Sequence, residues 1–165
     1  MHPLIHHLIP TPKQVTVDEQ TEVPFPYALH LHPQNSKTTL SGDQAEAICL
    51  QLAEAGNIPC NASLPGAEST ALEYAIEPEW ETGLRNAGWN HSKEYYELEI
   101  APNRWHLSAA HSLGIHRGTQ TIRQLLLSCK PGEALPHLKC EDAPDFAERG
   151  YMLDISRDKI PTHFE

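Results

Sequence analysis

Eleven histidines are the first residues of this chain that could do chemistry, because imidazole transfers protons near neutral pH and binds transition metals. His30 and His32 alternate with leucines and therefore share one face of a predicted strand, and His6 stands next to His7. A zinc site needs about four ligands, and neither pair has a third ligand at a diagnostic spacing. The sequence favours histidines without a bound metal, and we expect no metal site and no cofactor.

One pair of carboxylates has a spacing that invites an acid–base interpretation. Glu97 and Glu99 lie two residues apart on a predicted strand and share its polar face, which is typical of a solvated sheet surface. The thiols give no stronger signal, because the four cysteines lack C-x-x-C spacing and lie scattered in a chain of ordinary core size. We therefore expect free thiols at Cys49, Cys60, Cys129 and Cys140.

The charge balance excludes some partners. With 12 basic and 22 acidic residues the formal net charge is -10, and no basic cluster is present, so nucleic-acid phosphates and anionic lipids would be repelled. No apolar run approaches the ~20 residues that cross a bilayer. We expect no nucleic acid and no membrane partner. The opening MHPLIHHLIPTP lacks the basic and apolar regions of a secretion signal, and the compartment stays undetermined.

Alternation of apolar and polar residues predicts the strands that position these groups. The turn at Ala101-Pro102-Asn103 joins the predicted strands at Tyr96–Ile100 and Trp105–Ala109 into a hairpin. Trp105 falls in the apolar register of its strand, which points to the core. The predicted strands lie near Val15–Val17, at Tyr27–His32, at Leu72–Ile76, at Tyr96–Ile100 and at Trp105–Ala109.

Two helices follow from capping signals and helical spacing. Ser41 and Gln44 form a capping box ahead of an apolar stripe that Gly56 closes. Ser112 is the predicted N-cap of the second helix, which stops at Lys130-Pro131-Gly132. The order of elements predicts an α+β fold with a mostly antiparallel sheet and both helices on one face.

The most specific pattern in the chain is G-x-x-R-G-x-Q-T-x-x-Q-L at 114–125, followed by R-G-x-x-L-D-x-S-R at 149–157. Together with the segments around it, this pattern resembles the β-N-acetylhexosaminidases of glycoside hydrolase family 20. LIPTPKQVTV is similar to the start of the small domain that precedes the catalytic barrel, and YYELEIAPNRWHLSAAHSLGIHRGTQTIRQLLL to its hairpin and last helix. EDAPDFAERGYMLDISRD is similar to the approach to the first barrel strand.

This resemblance implies an enzyme that removes terminal N-acetylhexosamine residues by a retaining mechanism, in which the sugar's 2-acetamido group attacks the anomeric carbon. An adjacent Asp-Glu pair on a later barrel strand, beyond Glu165, orients that group and acts as general acid and base. Arg149 matches the family's substrate-binding arginine, whose five donors suit the hydroxyls of the terminal sugar. We interpret Asp154 and Arg157 as a structural pair and assign no catalytic residue in this chain.

The resemblance also divides the chain. It implies an N-terminal α+β domain over residues 1–129, a linker over 130–146 and the truncated start of a (β/α)8 barrel over 147–165, where Gly150–Ile155 would form the first strand. We expect the chain alone to be inactive, since glycans ending in N-acetylhexosamine would bind through the rest of the barrel. Two alternatives stay open: a stand-alone non-catalytic binding or scaffolding module, and a second chain that supplies the barrel.

Overall fold

One seven-stranded sheet organises the part of the chain that the structure, a computed structural model, describes: residues 3–34, 38–62, 69–130, 132–146, 148 and 150. The strands are β1 (Gln14–Val23), β2 (Leu29–Pro33), β3 (Cys60–Asn61), β4 (Thr70–Ile76), β5 (Tyr96–Ala101), β6 (Arg104–Ala109) and β7 (Leu135–Asp142). The helices are α1 (Gly42–Gly56), α2 (Trp80–Asn86) and α3 (Ser112–Ser128), with short 3-10 helices at Pro3–His7 and Ser92–Glu94.

The strand order is β1-β7-β5-β6-β4-β2-β3, and the sheet is mixed. Pairing is antiparallel from β1 to β6 and parallel from β6 to β3. The predicted α+β class is confirmed, but the parallel half is larger than a mostly antiparallel sheet implies. Helix α1 causes this parallel pairing. It carries the chain back to the end of the sheet at which β2 began, so β3 and β4 both run in the same direction as β2.

Helices α1 and α3 pack against each other and against one face of the sheet, as predicted. The core between them contains Trp105, Leu107, Ile115 and Leu52, each with at most 1% of its surface exposed. The predicted core position of Trp105 is confirmed. The opposite face of the sheet carries the polar partners of the alternation, and none of the described helices packs closely on it.

The ends of the two long helices show where local signals suffice. At α1 the capping box is present: the Gln44 amide N–H donates to the Ser41 hydroxyl at 3.3 Å, and the Ser41 N–H donates to the Gln44 side chain at 3.0 Å. At α3 the N-cap is His111 rather than the predicted Ser112, because the extended His111 presents its Nδ1 to the Leu113 N–H at 3.2 Å.

The linker predicted over residues 130–146 is wrong for Leu135–Asp142, because these residues form β7 between β1 and β5. Pro136 lies opposite Glu22 beside a break in the register with β1, where a missing N–H is tolerated. Helix α2 and strand β3 were also not predicted. Of the strand predicted at Gly150–Ile155, only Gly150 lies among the described residues. None of the described helices is long and apolar enough to cross a membrane.

Candidate functional site

The sequence motif at residues 114–125 lies on α3, and its glycines form the contact between this helix and the sheet. A Cβ atom on Gly114 would lie 2.1 Å from the Tyr95 carbonyl oxygen, and one on Gly118 would lie 2.2 Å from Leu107 Cδ1. Non-bonded atoms do not approach so closely. The glycines therefore allow α3 to lie directly on β5 and β6.

The polar residues of the same motif are held by partners inside the domain. Arg117 donates from Nη2 and Nε to one oxygen of Glu94 at 2.6 and 2.7 Å. The Thr121 hydroxyl lies 2.6 Å from the buried hydroxyl of Tyr96. The Gln120 side chain reaches Gln51 of α1 at 2.7 Å. The motif that carries the family resemblance is thus a packing motif and has no reacting group.

A groove of about 330 Å³, the α3 groove, runs beside this motif. Its polar groups are a guanidinium, amides, hydroxyls and the carboxylate of Asp142. Burial raises the pKa of this carboxylate above its ordinary value. Asp142 is the one carboxylate among the residues that line the groove, whereas glycoside hydrolysis uses two carboxylates, so these residues do not form a hydrolytic site. It is lined by Ile9, Pro10, Tyr96, Arg117, Gln120, Thr121, Gln124, Asp142 and Pro144.

The polar face of the sheet, called the open face below, gathers histidines and carboxylates. Glu73 on β4 is central: its carboxylate lies 3.8 Å from both His32 and His106 and 3.3 Å from Arg104. Two strands away, Glu99 contacts Lys139 at 2.9 Å and His137 at 3.4 Å. The predicted shared face of His30 and His32 is confirmed, with their rings stacked at 5.4 Å. Among the described residues, no three His, Cys, Asp or Glu side chains are arranged to hold a metal ion.

Ser108, His106 and Glu73 occur on this face in the order of a hydrolytic triad. The Ser108 hydroxyl lies 2.7 Å from His106 Nε2, but His106 Nδ1 is 3.8 Å from Glu73 and has no hydrogen-bond partner in the described part of the chain. Ser108 is buried, and the neighbouring N–H groups are paired in the ladders of β6, so the described residues form no oxyanion site beside it. The arrangement does not support hydrolysis.

His106 gives the open face a dependence on pH. Burial, with a smaller contribution from Arg104, lowers the pKa of His106 below its ordinary 6.5, whereas Glu73 and Glu99 act in the opposite direction. The unfolded chain therefore binds more protons than the folded chain as the pH falls below about 6.5, and stability declines there. We expect His106→Gln to flatten the dependence of the melting temperature on pH between pH 7 and 5. Exposed His116→Gln is the control, and equal slopes for both variants would contradict the assignment.

Of the predicted site residues, Arg149 lies outside the described residues, as do Asp154 and Arg157. Glu97 and Glu99 do share the open face, where Glu97 accepts a hydrogen bond from the Tyr95 hydroxyl at 2.8 Å.

The sequence contains one Asp-Glu step, Asp18-Glu19, which its patterns did not single out. The structure places it on β1 at the edge of the sheet, exposed, and Asp18 accepts a hydrogen bond from the Thr21 hydroxyl at 2.7 Å. The step lies outside the α3 groove.

Solved structures resemble this fold, and three of them, at 12 to 21% identity, illustrate the likeness. N-acetyl-beta-hexosaminidase of Streptomyces plicatus is 21% identical with a TM-score of 0.57, and the match covers 88% of this chain and 28% of the hexosaminidase chain. Flavobacterium johnsoniae chitobiase is 20% identical with a TM-score of 0.59, covering 98% and 24%. CpGH84D is 12% identical with a TM-score of 0.65, covering 87% and 25%. This chain thus spans about a quarter of their length, and no curated protein sequence matches it.

The described residues form an α+β domain with a mixed sheet. The sequence profile described as glycosyl hydrolase family 20, domain 2, matches residues 6–143, a range that includes every described strand from β1 to β7. The chain belongs to glycosyl hydrolase family 20. The predicted resemblance to this family is confirmed over residues 6–143.

Proposed function

We propose that this chain is the N-terminal part of a β-N-acetylhexosaminidase, which removes terminal N-acetylhexosamine residues from glycans by a retaining mechanism assisted by the substrate's 2-acetamido group. The observation that carries the proposal is the family match over residues 6–143, continued by the R-G-x-x-L-D-x-S-R segment at 149–157. The α+β domain itself supplies no reacting group in this proposal. It packs its own motif residues internally and supports the barrel that follows.

The sequence that follows the α+β domain favours a larger protein over a stand-alone module, because a finished module has no need of the R-G-x-x-L-D-x-S-R segment at 149–157. A barrel in the same chain, or one supplied by a second chain, would use this segment.

The first experiment reads the encoding gene past the codon for Glu165 and assays the protein it encodes. We expect a barrel-length continuation with an adjacent Asp-Glu at a strand end, and hydrolysis of nitrophenyl β-N-acetylglucosaminide but not of nitrophenyl β-glucoside, which lacks the assisting acetamido group. We expect residues 1–165 alone to hydrolyse neither. A stop codon after Glu165 in a stably folded, inactive protein would replace the enzyme proposal with the module.

Arg149 is proposed to hydrogen-bond the hydroxyls of the terminal sugar. In the longer enzyme we expect Arg149→Ala to lower kcat/KM by about 10- to 100-fold, because hydrogen bonds to a charged group contribute about 1.5–3 kcal/mol. Arg85→Ala is the control, since Arg85 is exposed on α2 and its partners, Glu81 and Ser92, lie within the α+β domain. Steady-state kinetics of both variants decides the point, and parallel losses would exclude a specific role for Arg149.

A further inference from the structure

The segment that follows β7 is held by residues from distant parts of the domain. β7 ends at Asp142, whose carboxylate accepts a hydrogen bond from the Lys13 N–H at 3.2 Å. Further along the chain, the carboxylate of Asp145 lies 2.8 Å from Lys13 Nζ. His91 donates from Nε2 to the backbone carbonyl oxygen of Asp145 at 3.1 Å. Lys13 and His91 therefore hold both the side chain and the backbone of Asp145.

The ammonium group of Lys13 is positioned by an aromatic ring. Its Nζ lies 5.3 Å from the ring centroid of Trp89, a distance at which a cation and the face of an indole attract each other. Trp89 in turn packs edge-on against the buried ring of Tyr95, with 4.8 Å between the ring centroids. We call Lys13, Trp89, His91 and Asp145 the exit clamp. It joins the residue before β1, the connection that follows α2 and the segment after β7.

The exit clamp acts on the direction of the chain more than on the stability of the domain. An exposed ion pair contributes little to the free energy of unfolding, and the Asp145 side chain is 72% exposed. The clamp nevertheless binds two different groups of Asp145, and a residue that is held at its carboxylate and at its carbonyl cannot turn or shift freely. The chain therefore leaves the α+β domain in a defined direction.

The residue that the resemblance assigns to the substrate follows directly. The family match ends at residue 143, and Arg149 comes four residues after Asp145. Four residues of chain span at most ~14 Å, so an anchor at Asp145 limits where Arg149 can lie. We propose that Lys13 is a positioning residue for Arg149, which holds Asp145 so that the arginine reaches the hydroxyls of the terminal sugar. This inference rests on the proposed function, in which Arg149 binds that sugar.

The test changes Lys13 in the longer enzyme and measures hydrolysis of nitrophenyl β-N-acetylglucosaminide. Lys13→Met keeps the apolar stem and removes the charge, so we expect kcat/KM to fall about 5-fold, because a small displacement of a binding group weakens its contact. Lys13→Arg keeps the charge and should stay within about 2-fold of the unchanged enzyme. In an Arg149→Ala background, Lys13→Met should have no further effect, since both changes remove the same contact.

A second readout does not depend on activity. Phe146 comes directly after the exit clamp and is exposed, so chymotrypsin can cleave after it when the clamp opens. We expect Lys13→Met to speed this cleavage of the 165-residue chain by about 3-fold or more, because the rate follows the population of the open segment, and Lys13→Arg not to. Lys139→Met is the matched control, because Lys139 forms an ion pair of similar length, 2.9 Å, with Glu99 on the open face. It should change neither the cleavage nor kcat/KM.

The outcomes separate this inference from the proposed function. A longer protein that hydrolyses no N-acetylhexosaminide would overturn the proposed function and with it this role of Lys13. An active enzyme in which Lys13→Met keeps its kcat/KM, or loses as much with Arg149→Ala as without it, would overturn only the role of Lys13. Cleavage after Phe146 at the same rate in every variant would overturn the exit clamp.

Discussion

Replacing Gly114 with alanine is expected to lower the free energy of unfolding by about 3 kcal/mol, because the new methyl group would overlap a backbone atom. The Tyr95 carbonyl oxygen, 2.1 Å from the position that the methyl carbon would take, belongs to the chain just before β5 and cannot rotate away as a side chain can. The helix would have to move off the sheet along its length. Urea denaturation followed by circular dichroism measures the loss.

Gly83 provides the matched control for this substitution. It lies inside α2, and a methyl group there would meet nothing within 4 Å. Gly83→Ala should therefore be neutral or stabilising by up to about 1 kcal/mol, through helix propensity alone. Gly118→Ala should fall between the two, since its obstacle is the tip of the Leu107 side chain, which can rotate. Similar losses at all three glycines would contradict the packing role of the motif.

Truncating Trp105 to alanine is expected to cost about 3–5 kcal/mol, because the side chain is fully buried on β6 and its removal leaves a large cavity. Half-buried Trp80 at the start of α2 is the matched control, and Trp80→Ala should cost clearly less. Chemical denaturation of both variants gives the comparison. Equal costs would show that Trp105 does not hold the core.

Trp105→Phe tests a finer point about the same position. The indole Nε1 has no hydrogen-bond partner among the described residues, and an unpaired buried donor is unfavourable. Phenylalanine removes that donor while it keeps most of the apolar volume. We expect Trp105→Phe to cost less than half of what Trp105→Ala costs. A cost near that of alanine would mean that the N–H has a partner in solution.

The elements that the sequence predicts well are those with a local cause. The alternation at Tyr96–Ile100 and Trp105–Ala109 and the capping box at Ser41 each depend on residues a few positions apart. Strand β7 was missed because Pro131-Gly132 and Pro136 suggest a break, although Leu138 and Cys140 alternate with polar residues. Its pairing with β1 joins residues more than a hundred positions apart, and no local pattern specifies that.

At the candidate site, too, the sequence predicts local features and misses contacts between distant residues. The resemblance identified the motif on α3 from its residues, but the contact of Gly114 with the Tyr95 carbonyl is visible only in the structure. The role of Arg149 stays a prediction from the family motif.

The position of β7 between β1 and β5 has a consequence for synthesis on the ribosome. Among the described strands, β1 pairs only with β7, so residues 14–23 have no partner strand until residues 135–142 have left the exit tunnel. The nascent chain can complete the five strands from β5 to β3 earlier, since all of them precede residue 110. The first strand to be made is thus among the last to be placed. Until translation has passed β7, both β1 and the edge of β5 lack the strand that pairs with them, which invites wrong pairing.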